Sequence, residues 1–214
     1  LVELWGFGAS GSILSLPDSS RVMNALKFLG LEKLNISNNR VLSKSKEVSI
    51  DLSAIAKGFA VDKISHFLTK NSFDNHMVEI GGEIRVSGYN KNKDKWSIGI
   101  QNPDIKNTAP LATLLISDKG IATSGNYRNY YNIDGKRYSH IISPVTGYPV
   151  ENQIRGVSVI SDNCLDSDAL ATALLVMDVD DGIKLIEDLK GFEVFYILDN
   201  GEHLLSSGFM NFVP

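Results

Sequence analysis

Cysteine is nearly missing from this sequence: Cys164 stands alone, which excludes a disulfide within the chain. A lone cysteine does not identify a compartment, because many exported proteins lack disulfides as well. No apolar run approaches the ~20 residues that a membrane-spanning helix needs. Basic residues are also scarce, with 21 Lys and Arg against 25 Asp and Glu and a net charge of −4. No run of Lys or Arg exceeds what a solvated loop carries, which argues against nucleic acid or an anionic membrane surface as the main partner. Internal repeats, low-complexity segments and a convincing linker are absent too. The chain opens on Leu1 rather than Met, and its first residues read like the interior of a fold. The expectation is a processed or truncated chain with no signal peptide in view.

What is present describes an ordinary globular protein: 214 residues, 43% hydrophobic and 21% charged. Pro17–Asp18 starts a helix, with Asp18 as its cap, Val22, Leu26 and Leu29 on its apolar face and Gly30 as its stop. A hairpin is expected from Leu34–Ile36 through a turn at Asn38–Asn39 to Val41–Leu42. Val48–Leu52 alternates like a strand and leads into a helix that runs to about Lys70. Further strands are expected at Met77–Ile80, Glu83–Ser87, Trp96–Gln101, Leu111–Ile116, Gly120 onward and Val157–Ile160. Asp134–Gly135 marks a hairpin between Tyr130–Ile133 and Lys136–Ile142. Helices are expected from the Asp166 region to about Met177 and over Gly182–Leu189, before a closing hairpin of Phe192–Leu198 and His203–Leu205. Strands outnumber helices, and the class is α+β with largely antiparallel sheets and packed helices.

Several groups of residues carry two readings each. Asp168 and Thr172, four apart at the start of an apolar helix, share one face. A carboxylate beside a hydroxyl suits a hard cation such as magnesium; equally, Asp166 to Asp168 suit helix capping. Small residues at Ser53, Ala54, Ala56 and Gly58 allow close approach to a helix start, where free amides suit a phosphate. Lys57 adds a positive charge there, and Asp51 lies just ahead. The plainer reading is a strand–helix corner with an exposed lysine. Trp5 and Phe7 either line a planar ligand or belong to the core. Gly81–Gly82 either marks a bend or lets backbone lie against a ring system. His140 sits before the loop Ser143–Gly147, placed for acid–base work or for a structural hydrogen bond. His66, His76 and His203 receive no role.

Three separated stretches agree with one family. DLSAIAKGFAVD (Asp51–Asp62), TSGNY with HIISPVTGYPV (Thr123–Tyr127 and His140–Val150), and DALATAL (Asp168–Leu174) resemble the ApbE family of FAD:protein FMN transferases. The LWGFG opening, the IGGEIRVSG strand pair and the WSIGIQNP strand match in the same order. The resemblance implies a T-fold-like α+β architecture across residues 1–214, without the segment that family members carry before LWGFG. It implies transfer of FMN from FAD to a threonine or serine hydroxyl of a target protein, with release of AMP and dependence on Mg²⁺. Alternatives within its reach are an FAD pyrophosphatase giving FMN and AMP, and a non-catalytic FAD-binding protein.

The resemblance also assigns roles. Ala54, through its carbonyl, Asp168 and Thr172 would hold Mg²⁺. Asp51 and Lys57 would contact FAD, with Trp5, Gly6, Phe7 and Ile141 as flavin or adenine contacts. Gly81, Gly82, Glu83, Thr123 and Ser124 match motifs near the cofactor. A threonine hydroxyl is a poor nucleophile, so a base helps, and His140 is the candidate. The family pattern carries Asp where this chain has Ser143. The expected partners are FAD and redox-driven ion pump subunits, not nucleic acid. The expected location is the periplasm or the outer face of the cytoplasmic membrane, with any membrane association through a lipoprotein anchor outside this chain.

Overall fold

The computed structural model describes the chain except residues 9, 10, 12, 14, 38–40, 105 and 128; Ile36 and Val41 are described in backbone only. In chain order the elements begin with α1 (Ser19–Leu26), β1 (Leu34–Ser37), β2 (Val41–Lys44), α2 (Ala56–Lys70), β3 (His76–Ile80) and β4 (Glu83–Ser87). Next come β5 (Trp96–Ile100), β6 (Ala112–Ile116), β7 (Gly120–Gly125), β8 (Tyr130–Ile133) and β9 (Lys136–Ser139). The chain closes with β10 (Ile154–Ser161), α3 (Cys164–Val176), α4 (Val179–Asp188), β11 (Glu193–Leu198) and β12 (His203–Leu205). Every ladder among the described residues is antiparallel. Two compact units result: Leu1–Asp51 with Arg128–Glu151, and Leu52–Tyr127 with Asn152–Pro214.

In the first unit, the Asp18 carboxylate caps α1 by accepting from the Ser20 N–H at 2.7 Å. The helix ends at Leu26, before the expected stop at Gly30. Lys27, Phe28 and Leu29 each bond three residues back, so the last turns tighten instead of continuing the α-helix. β1 and β2 pair as expected; the turn expected at Asn38–Asn39 lies outside the described residues. The strand expected over Val48–Leu52 does not form. Its alternation put Val48, Ile50 and Leu52 on one face, yet only Val48 is buried, and no partner strand pairs with the segment among the described residues. Alternation makes a strand only where a ladder satisfies the backbone. β8 and β9 form the Asp134–Gly135 hairpin, both turn residues at positive φ (51° and 77°) as a two-residue hairpin loop demands. β9 ends at Ser139 rather than Ile142, which keeps only an isolated bridge to Pro149.

The second unit is a six-stranded sheet in the order β12-β11-β10-β7-β4-β3. Val86, Ile121, Ile160, Phe195 and Ile197 point to one face, where the β5–β6 hairpin and Phe209 cover them. The alternate residues Ala122, Val159, Val194 and Tyr196 point to the other face and are buried as well. Both faces being covered explains why β10 is buried along nearly its whole length and why β11 reads as a nearly continuous apolar run. α2 packs on β3 and β4, and α3 on β7 and β10. Residues Cys164, Ser167, Asp168, Ala171, Leu174 and Leu175 form the buried stripe of α3. α4 starts at Val179, ahead of the expected Gly182, because Asp178 caps it by accepting from the Asp180 N–H at 3.0 Å.

Candidate active site

The polar corner of the second unit forms where α2 crosses the start of α3. Gly58 makes the crossing possible: a Cβ there would lie 2.5 Å from the Cys164 carbonyl oxygen and 2.8 Å from Asp168 Cβ. The small residues read as room for a ligand are thus, at Gly58, room for the neighbouring helix. The Gly58 N–H donates to Asp168 Oδ2 at 2.9 Å rather than to the carbonyl of Ala54 four residues back. Two helix ends are joined at this point by one charge-assisted hydrogen bond.

Asp168 is 3% exposed. Burial raises its carboxyl above the usual carboxylate range, countered in part by the Gly58 N–H and by the positive charge of Lys57. Glu83, the first residue of β4, is buried beside it and forms an ion pair with Lys57 (Oε1 to Nζ, 2.6 Å). Burial raises Glu83 too, against the lowering effect of Lys57. Gly81 and Gly82 (φ +62° and +104°) make the tight turn that brings β4 back to this position. Thr172, one turn after Asp168, has its Oγ1 3.0 Å from Ser124 Oγ on β7. Thr123 bonds across the sheet to Ser158, at 2.7 Å between hydroxyl oxygens.

Capping at the start of α3 differs from the sequence reading. Asp166 does not supply it. Asn163 accepts from the Asp166 N–H at 2.8 Å, and the Asp62 carboxylate on α2 accepts from the Cys164 and Leu165 N–H groups at 2.9 and 2.8 Å. Asp168 and Thr172 are therefore released from capping. The expectation had left Asp62 without a role; the signal was its spacing, four residues after Gly58 and so on the same face of α2. Cys164 sits in this corner as a buried thiol whose pKa burial pushes far up, with Asp62, Glu83 and Asp168 adding to the shift, which makes it inert.

The remaining predicted site residues lie in the first unit. Trp5 is buried, donates its indole N–H to the Gly147 carbonyl at 2.8 Å, and packs against the rings of Tyr138 and Tyr148. Gly6 adopts φ +74° and its carbonyl accepts from the Tyr131 hydroxyl at 2.5 Å. Phe7 stacks on Tyr131 at 4.6 Å and meets the edge of His140 at 6.1 Å between centroids. His140 Nδ1 lies 3.0 Å from the Asn129 carbonyl, so Nδ1 carries the proton. Ile141 is buried next to it. Ser143 Oγ accepts from the Val145 and Thr146 N–H groups, both at 3.3 Å, and so orders its own loop. Asp51 is exposed in the irregular stretch before α2.

Ala54, Asp168 and Thr172 offer a carbonyl, a carboxylate and a hydroxyl, an all-oxygen donor set that fits a hard cation. Among the described residues there is no group of three or more His, Cys, Asp or Glu that could hold a metal ion. A single buried carboxylate fits an ion that keeps waters and substrate oxygens in its shell, as Mg²⁺ does.

The model of the ApbE family matches residues 1–196. A Vibrio cholerae protein named FAD:protein FMN transferase is 40% identical over 187 residues, covering 87% of this chain and 56% of that protein. Its Haemophilus influenzae namesake is 34% identical over 208 residues, covering 94% of this chain and 60% of the relative. The chain therefore spans 56% and 60% of these curated relatives' lengths. Among solved structures, the ApbE protein of Thermotoga maritima superposes with a TM-score of 0.88 at 28% identity, covering 100% of this chain and 69% of its own. The flavin transferase ApbE of Vibrio cholerae does so at 0.87 and 38% identity, covering 99% and 68% respectively.

Proposed function

The chain belongs to the ApbE family, and on that premise we propose that it transfers FMN from FAD to a threonine or serine hydroxyl of a target protein, in a Mg²⁺-dependent reaction that releases AMP. Residues 1–214 act in this reading as one flavin transferase domain. The observation that carries it is the corner where Asp168, Lys57 and Glu83 meet at the crossing of two helix starts. An acidic ligand for a hard cation and a lysine for phosphate charge stand together there, the two requirements of phosphoryl transfer.

Mg²⁺ on Ala54, Asp168 and Thr172 would supply charge neutralisation to the pyrophosphate of FAD. Lys57 adds positive charge from the side of α2, and Asp51 helps to hold the substrate. Ser124, 3.0 Å from the Thr172 hydroxyl, would hold that hydroxyl in place as a partner behind a ligand. Trp5, Gly6, Phe7 and Ile141 serve the ring systems of FAD, and Gly81, Gly82 and Thr123 shape the backbone near it. In the reaction the acceptor hydroxyl oxygen attacks the phosphorus on the FMN side. The new P–O bond forms as the bridging P–O bond to AMP breaks. His140, whose Nδ1 is held by the Asn129 carbonyl, is the candidate base for the hydroxyl proton.

The acceptor protein fits a subunit of a redox-driven ion pump, and the periplasm or the outer face of the cytoplasmic membrane fits as location. No helix among the described residues is long and apolar enough to cross a membrane. The test is incubation of the full-length protein with FAD, Mg²⁺ and an acceptor peptide containing threonine, followed by mass spectrometry. A covalent FMN adduct with equimolar AMP supports transfer. Free FMN and AMP without adduct would replace it by hydrolysis, and intact bound FAD by a non-catalytic carrier.

A further inference from the structure

Glu83 is buried, with its side chain 2% exposed, while its partner Lys57 keeps 46% of its side chain in solvent. Burying a carboxylate is costly, and a buried ion pair adds little net stability over an apolar pair of similar volume. The carboxylate is held sparingly: Oε1 meets Lys57 Nζ at 2.6 Å, and the buried Oε2 has no hydrogen-bond partner among the described residues. A lysine stem is flexible, and an ammonium left in solvent loses much of its side-chain entropy when a ligand fixes it. An ammonium has three donors. One goes to Glu83, and the exposed side of Lys57 leaves the others to an incoming anion. The Gly81–Gly82 turn and the Ile80–Glu83 pair that closes the β3–β4 hairpin place the carboxylate rigidly.

We infer that Glu83 is a positioning residue: it makes no contact with FAD but fixes the Lys57 ammonium beside Asp168, ready for the substrate's diphosphate. This rests on the reading of Lys57 as an FAD contact. The family resemblance places Glu83 near the cofactor together with Gly81 and Gly82, and its role there runs through Lys57. Its carboxylate faces Lys57 and feels Asp168, so it increases the local negative charge; its gain is orientation of the lysine, not attraction of the anion.

The experiment is a double-mutant cycle on the full-length protein, read as FAD affinity by isothermal titration with Mg²⁺ present and as kcat/KM for transfer. Lys57→Met keeps the apolar stem and removes the charge. Glu83→Gln alone weakens FAD binding about tenfold, roughly 1.4 kcal/mol, although it removes a negative charge from an anion site. In the Lys57→Met background the same change alters affinity less than twofold. Additive losses in the two backgrounds would overturn the inference, since Glu83 would then act without Lys57. Tighter FAD binding by Glu83→Gln alone would overturn it as well. Unchanged affinity in Lys57→Met alone would instead overturn the reading of Lys57 as an FAD contact. If Glu83→Gln fails to fold, Glu83→Asp takes its place: it keeps the charge one methylene short, and an intermediate loss that vanishes without Lys57 is expected.

Discussion

The two units hold their predicted site residues by different physics. In Leu52–Tyr127 with Asn152–Pro214, Asp168, Lys57, Glu83 and Thr172 are placed by hydrogen bonds and charge at a crossing of helices. In Leu1–Asp51 with Arg128–Glu151, Trp5, Phe7 and His140 are placed by rings, with Tyr131, Tyr138 and Tyr148 packed around them. The first arrangement keeps polar atoms buried at an energetic cost, which a merely structural corner has no reason to bear. The second buries large apolar area and costs nothing electrostatically. Substitutions should therefore separate them, with chemistry lost in one and stability lost in the other.

The largest expected effect is on the aromatic side. Trp5→Ala removes a fully buried ring and orphans the Gly147 carbonyl, and should cost about 3–5 kcal/mol in urea unfolding. A loss below 1 kcal/mol would show that the ring cluster does not hold its unit together. On the polar side, Asp168→Ala should lower metal-dependent transfer by about 10²–10³-fold, with the fold retained despite the orphaned Gly58 N–H. Near-normal transfer by that variant at limiting Mg²⁺ would remove Asp168 from the metal shell. His140→Asn tests whether the ring-held unit also contributes chemistry. It should slow single-turnover transfer by about 10²-fold while FAD binding is retained, and an unchanged rate would exclude His140 as the base.

Gly58→Ala addresses the crossing itself. The added methyl meets the backbone of α3, which cannot move aside as a side chain could, and the expected cost is about 1–3 kcal/mol. Wild-type stability in thermal melts would mean that the helices part more easily than their contact implies. The smallest effect is a slope with pH. Asp168 and Glu83 have raised carboxyl pKa values in the folded, metal-free protein, so the folded state binds protons more tightly than the unfolded chain there. Their contribution to stability is fully present below the ordinary carboxylate range and is lost as pH rises through the raised values. Urea midpoints measured in chelator should fall over that interval. Asp168→Asn should flatten the fall, and added Mg²⁺ should oppose it in the wild type alone.

Local signals were legible where local physics decides. Asp18 capped a helix, Asp134–Gly135 closed a hairpin, and Asp168 and Thr172 shared a face, each within a few residues of chain. Val48–Leu52 had the pattern of a strand and lacked the partner that would make it one. Asp166 looked like the cap of α3, while Asp62, 102 residues before Cys164, supplies much of it. No periodicity in the sequence reports which carboxylate reaches which amide.

By itself the sequence determined the α+β class, most of the elements and the motif set that marks the ApbE family, because capping, turn chemistry and apolar spacing act over short stretches. Only the tertiary structure decided that Gly58 exists for α3, that Asp168 bonds across 110 residues to the start of α2, and that Glu83 belongs to Lys57. Those pairings depend on the order of strands in the sheet and on which helix starts it brings together, and burial then raises the pKa of both carboxyl groups around one shared lysine.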